Sequence, residues 1–177
     1  NIILFDEEGS KKIAVFNFPR QKSGSNLCIA DFYCDLKDGK PIDYFPMQAV
    51  TMGDIASEYS QKLFKDDRYS DYLIFHGLAV QLAEAFAEYL HREIRLTKWG
   101  YSPNENLDNS ELISESYQGI RPAPGYPACP DHLEKDTIWS LLNVEKSIGV
   151  RLTESRAMWP ASSVSGYYFS NEKSKYF

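Results

Sequence analysis

The run Arg121-Pro-Ala-Pro-Gly-Tyr-Pro-Ala-Cys-Pro130 is where residue types and spacing point most directly to chemistry. Proline fixes φ and biases the residue before it away from helix, so a segment with four prolines in ten residues must be extended or turned. Built mostly of Pro, Ala and Gly, it is stiff, carries little side chain and leaves backbone groups open to close approach. That suits clamping a flat ligand through main-chain hydrogen bonds. Arg121 opens the run with a guanidinium fork that matches a carboxylate or phosphate. Tyr126 stands in its middle, an aromatic ring with a polar tip. A plain stiff surface loop is the alternative reading of the same residues.

Other chemistries find less support. Cys129 and His132 have the spacing of half a zinc site, but zinc needs four ligands, or three and a water. The remaining Cys and His residues (Cys28, Cys34, His76, His91) are scattered along the chain. Cys129 reads instead as a small buried apolar residue and His132 as a first-turn helix residue, and no metal site is assigned. No Gly-x-Ser-x-Gly elbow, Gly-x-Gly-x-x-Gly loop or P-loop is present, which argues against a serine hydrolase, a Rossmann-type methyltransferase or a nucleotidase. Nineteen basic against 25 acidic residues give a net charge of -6, so a nucleic acid would be repelled on average. No apolar run reaches the ~18–20 residues of a transmembrane helix, and no basic-then-apolar leader is seen. Three cysteines without framework spacing point to a reducing, cytoplasmic compartment.

The loop must be positioned by a scaffold, and 177 residues with 43% hydrophobic content suffice for one domain with its own core. Ile2–Phe5 and Ile13–Phe18, divided by turn chemistry at Asp6–Ser10, read as a hairpin. Leu27–Tyr33 and Tyr44–Thr51 read as further strands. Gly53 to about Asp67 has helical spacing. Ser70 caps a second, long helix to about Leu96, whose stripe Phe75, Leu78, Ala79, Leu82, Phe86, Tyr89 and Leu90 is expected in the core. Asn109 opens a short helix through Tyr117. Asp131 and Glu134 form a capping box for another helix, which Gly149 closes. Leu152–Ser155 and Ser163–Phe169 read as strands. Strands early and late with helices between them predict an α+β fold with a largely antiparallel sheet.

Several long segments, in order, resemble one family. They are the Arg121–Pro130 run with Asp131-His-Leu-Glu-Lys135, Ala83-Glu-Ala-Phe-Ala-Glu-Tyr-Leu-His91, Trp99-Gly-Tyr-Ser-Pro-Asn-Glu-Asn106, Ala157-Met-Trp-Pro-Ala-Ser-Ser-Val-Ser-Gly-Tyr-Tyr-Phe169 and Ser174-Lys-Tyr-Phe177. Together they are similar to the activation domain of cobalamin-dependent methionine synthase, strongly over residues 76–177 and loosely over 1–75. The resemblance implies an α+β fold with a bent antiparallel sheet and helices packed around it. It implies a part of a methyltransferase that binds S-adenosylmethionine and presents its methyl group to cobalamin held by a neighbouring domain. There, reductive methylation of cob(II)alamin to methylcobalamin draws one electron from flavodoxin or a flavoprotein reductase. A non-catalytic module that senses S-adenosylmethionine or docks a corrinoid protein is the alternative.

Carried over by position, the resemblance gives Arg121 the ligand's carboxylate, and Ala123 and Tyr126 its adenosine and methyl end. Tyr176 and Phe177 match a second ligand-contacting patch, where the family usually has two tyrosines and Phe177 lacks one hydroxyl. Glu84 and Glu115 match acidic positions near the ligand, sensible beside a sulfonium cation. His132 and Met158 to Val164, with Trp159 and Ser162 among them, are candidates for the cobalamin-facing surface. The family's domain begins well before Asn1, with a helical region carrying a ligand-binding aspartate, and continues past Phe177. Residues 1–177 are therefore expected to be a single domain truncated at both ends.

Overall fold

A computed structural model describes residues 1–177. The strands are β1 (Ile2–Phe5), β2 (Lys12–Phe16), β3 (Met47–Thr51), β4 (Arg151–Leu152), β5 (Met158–Trp159) and β6 (Ser163–Tyr167). The helices are α1 (Gly53–Lys65), α2 (Tyr69–Glu93), α3 (Asn109–Ile113), α4 (Glu134–Leu142) and α5 (Val144–Ile148). The α+β class holds. The sheet is divided into three two-stranded pairs, β1 with β2, β3 with β6 and β4 with β5. The chain forms two compact units.

The first unit holds residues 1–46, 91–134 and 166–177. Its β1–β2 hairpin is antiparallel, pairing Ile2 with Phe16 and Ile3 with Val15. Leu27–Tyr33 does not form the expected strand: Ile29–Phe32 is a 3₁₀ turn with Ile29 fully buried. A 3₁₀ turn repeats every three residues, and an alternating apolar pattern over so short a run does not exclude it. The core is aromatic. Phe45 stacks on Tyr167 at 5.1 Å and 27°, Phe16 meets Phe45 at 5.1 Å, and Tyr33 meets Phe169 at 4.9 Å. Tilted and edge-on contacts of this kind add stabilisation beyond area burial. The Tyr33 hydroxyl donates to the Tyr168 carbonyl, and burial raises its pKa.

The second unit holds residues 47–90 and 135–165. Leu63, Ile138, Val144 and Val150 are buried there, and Trp139 donates its indole N–H to the Val150 carbonyl at 2.7 Å. The expected helix after Asp131 breaks at Asn143, whose φ is 51°, so α4 and α5 are separate; Gly149 ends α5 in the left-handed conformation. The long helix is present, but its predicted core stripe is corrected. Ala79, Ala83 and Ala87, one turn apart, are buried in α2 at 6%, 1% and 0% exposure, and His91 one turn on continues the same face at 0%. Leu78, Leu82, Phe86 and Tyr89 lie outside, at 53%, 49%, 44% and 56%. The helix is apolar around most of its circumference, and periodicity finds apolar faces without deciding which turns inward.

Candidate functional site

The proline-rich run continues the β6 segment. Ile120 exchanges two backbone bonds of 3.0 Å with Phe169, and the Pro122 carbonyl accepts from the Tyr167 N–H at 2.9 Å. Gly166 makes this approach possible: a Cβ there would stand 2.8 Å from the Pro122 carbonyl oxygen. Beyond Pro122 the chain folds on itself. Tyr126 N–H donates to the Ala123 carbonyl at 3.0 Å, Cys129 N–H to Tyr126 at 2.9 Å and Gly125 N–H to Cys129 at 2.9 Å. The Cys129 thiol also donates to the Ala123 carbonyl at 2.9 Å. Burial pushes that thiol up to about 12, so it stays protonated and keeps the donor.

This arrangement narrows what Ala123 offers a ligand. Both lone pairs of its carbonyl are engaged inside the loop, so the backbone group left for a ligand is its N–H. The His132 ring packs against the turn: a Cβ on Gly125, whose φ is +109°, would lie 2.5 Å from His132 Cε1. His132 thus supports the loop from outside α4.

Arg121, Tyr126 and Tyr176 come together. The Tyr176 hydroxyl accepts from the Arg121 N–H at 2.9 Å, and its ring lies 6.4 Å from that of Tyr126. Burial raises Tyr176 to about 12; the Arg121 amide opposes the rise and the Glu115 charge adds to it. The hydroxyl accepts from Arg121 and retains its proton to donate elsewhere. Tyr126 is 45% exposed, an open aromatic face beside Arg121. Glu115 is exposed at a left-handed backbone position, φ 53°. Phe177 follows Tyr176 and is half-buried.

The other predicted residues belong to the second unit. Glu84 is exposed on α2, Met158 and Trp159 form β5, and Ser162 is buried. The Ser162 carbonyl accepts from the Met52 N–H at 2.9 Å. Trp159 and Ser162 line a cleft of ≈ 170 Å³ together with Ser60, Tyr72 and His76.

A buried polar cluster in the first unit was not found from sequence. After α2 the chain widens into a π-helical turn, Ile94–Lys98, with Trp99 and Gly100 both donating to the Ile94 carbonyl. Arg95, fully buried, pairs with Glu105 through two bonds of 2.8 and 2.9 Å and lies 3.9 Å over the Tyr117 ring. His91, also fully buried, meets Tyr117 edge-on at 4.9 Å and the Tyr101 hydroxyl at 3.3 Å. Burial lowers the His91 pKa to about 2, with the positive charges of Arg95 and Arg121 adding to the effect, so the ring is neutral. The available signal was an arginine on the inner face of an amphipathic helix, which needs a buried carboxylate partner.

A family model matches residues 1–177: the vitamin B12 dependent methionine synthase activation domain. The chain belongs to this family. Among solved structures it is similar to the crystal structure of the MetH reactivation domain bound to AdoHcy, at 50% identity and TM-score 0.90. That match covers 97% of this chain and 54% of the other, so the chain spans about half the length of this relative. No helix in the chain is long and apolar enough to cross a membrane.

Proposed function

We propose that residues 1–177 are part of the reactivation domain of a cobalamin-dependent methionine synthase and that the Arg121–Cys129 loop binds S-adenosylmethionine. The observation that carries this is the convergence of Arg121, Ala123, Tyr126 and Tyr176 in one unit. Each fits a different part of the ligand. The Arg121 guanidinium suits the methionyl carboxylate. The Ala123 N–H suits an acceptor on the adenosine. The faces of Tyr126 and Tyr176 suit the sulfonium cation, as does the nearby Glu115 charge. The AdoHcy held by the related domain supports the ligand class.

Cobalamin, held by a neighbouring domain, would supply the methyl-accepting chemistry, with flavodoxin or a flavoprotein reductase as the source of the electron. This chain's part is to hold the sulfonium at a fixed place and orientation, which removes entropy from the transfer. His132, Met158, Trp159 and Ser162 are assigned to the cobalamin-facing surface. The cytoplasm is the compartment consistent with the free thiols.

The test supplies the cobalamin-binding domain and a chemical reductant and follows methylation of cob(II)alamin by absorbance. The chain is expected to support methylation with S-adenosylmethionine, and Arg121→Ala is expected to lose it. Ligand binding without any methyl transfer would instead establish the sensing or docking module.

A further inference from the structure

A ring of contacts in the first unit runs through both ends of the proline loop, and a carboxylate closes it. Glu134 opens α4 just past the loop and is 6% exposed. Its Oε1 reaches away from the helix and accepts from the Asn17 N–H at 2.6 Å. Asn17 follows β2 and lies between Phe16 and Phe18, whose rings stack 6.3 Å apart and 6° from parallel. Both rings meet the Tyr167 ring edge-on, at 5.4 and 5.6 Å. The Tyr167 N–H in turn holds the Pro122 carbonyl. From Pro122 the loop runs on to Glu134, so the ring is complete. All of its members belong to one compact unit.

Stability alone gives little reason for a carboxylate at this position. Burial raises the Glu134 pKa and the Asp131 charge adds to the rise, while the Asn17 N–H opposes it. Taking a charged group out of water is costly. Asn17 itself is exposed, so water is at hand for its N–H without Glu134. What the bond adds is place, because it pins the end of the hairpin to the end of the loop. We propose that Glu134 is a positioning residue: its hold on Asn17 closes the ring of contacts that fixes where Arg121, Ala123 and Tyr126 stand. This rests on reading the loop as the S-adenosylmethionine site. The links between Glu134 and Pro122 are tight ones, since Phe16, Phe18 and Tyr167 are 0%, 6% and 0% exposed, and close-packed interiors pass a displacement on rather than absorb it. Opening the ring at Glu134 releases the Phe16–Phe18 segment, and with it the Tyr167 ring and the Pro122 carbonyl.

The test uses Glu134→Ala, which opens the ring, and Glu134→Gln, which keeps a neutral acceptor for the Asn17 N–H. Leu63→Ala, in the core of the second unit, controls for loss of stability alone. Two readouts are taken on each folded variant: hydrogen exchange at the Tyr126 and Cys129 amides, whose bonds lie inside the loop, and calorimetric titration of S-adenosylmethionine. Glu134→Ala is expected to speed exchange at both amides at least tenfold and to weaken binding at least fivefold. Glu134→Gln is expected to stay within twofold of the native chain in both. Leu63→Ala is expected to lower the urea midpoint and leave the affinity in place. The proposal is overturned if Glu134→Ala leaves the loop amides as protected as in the native chain, or leaves the affinity of a binding-competent chain unchanged. Equal losses in Glu134→Ala and Glu134→Gln overturn it too, as does a matching loss of affinity in Leu63→Ala. Failure of the ligand assignment reads differently: a native chain that binds no S-adenosylmethionine sinks that assignment, and the exchange rates then decide alone whether Glu134 fixes the loop.

Discussion

Arg121 and Tyr126 stood out in the sequence as candidates because their side chains carry the chemistry, whereas Tyr176 entered only through the family resemblance. Cys129 was legible only as buried, since nothing in the sequence says which carbonyl its thiol faces. That contact gives it a positioning role: it holds the Ala123 carbonyl turned into the loop. Cys129→Ala is expected to weaken S-adenosylmethionine binding about 3- to 10-fold, in line with one hydrogen bond of ~1 kcal/mol. Cys129→Ser, which keeps a donor, should recover most of the loss in the same titration. Gly119 shows a harder constraint: its φ is +92°, and a Cβ would lie 2.3 Å from the Phe169 carbonyl oxygen. Gly119→Ala is expected to cost about 3 kcal/mol or more in urea unfolding, because backbone cannot step aside as a side chain can.

His91 connects residue chemistry to pH. Its folded pKa is about 2, below the ordinary 6.5, so between these values the unfolded chain holds a proton that the folded chain lacks. Stability contributed by the neutral ring is complete above pH 6.5 and falls as pH drops below it, by up to about 1.4 kcal/mol per pH unit. Urea midpoints measured from pH 7.5 to 4.5 should decline more steeply for the native chain than for His91→Gln. Parallel declines would contradict this account of His91.

At the scale of elements, the hairpin, the two long helices and β6 followed from spacing and turn residues. The 3₁₀ turn at Ile29–Phe32 and the inward face of α2 did not, since both depend on what packs against them. The π-helical turn was equally invisible, and it carries the buried Arg95–Glu105 pair, whose side chains are 0% and 8% exposed. Removing one partner strands a charge where water cannot reach it. Glu105→Ala is expected to destabilise the chain by about 3–5 kcal/mol. The double replacement Arg95→Met with Glu105→Leu should cost much less than Glu105→Ala alone, because no charge remains to be stranded. Calorimetric melting of the two variants decides this, and equal losses would show that the ion pair is not what holds the turn.

For the whole molecule, family membership was legible from motif order, and the loop's geometry shows how the motif is held in place. The proline run is tied to the Tyr167–Phe169 segment, braced by His132 and closed by Cys129, so its backbone is presented as a fixed surface. Preorganisation of this kind removes the ordering cost that a flexible loop would incur on binding. The central claim is that this surface takes S-adenosylmethionine with Arg121 on its carboxylate. Isothermal titration of S-adenosylmethionine into the native chain and into Arg121→Ala, with folding of both verified by urea unfolding, tests it most directly. Saturable one-to-one binding, weakened roughly 100-fold by the loss of about 2–3 kcal/mol from a charge-assisted pair, is the predicted result. Equal affinity for the native chain and a folded Arg121→Ala would contradict it.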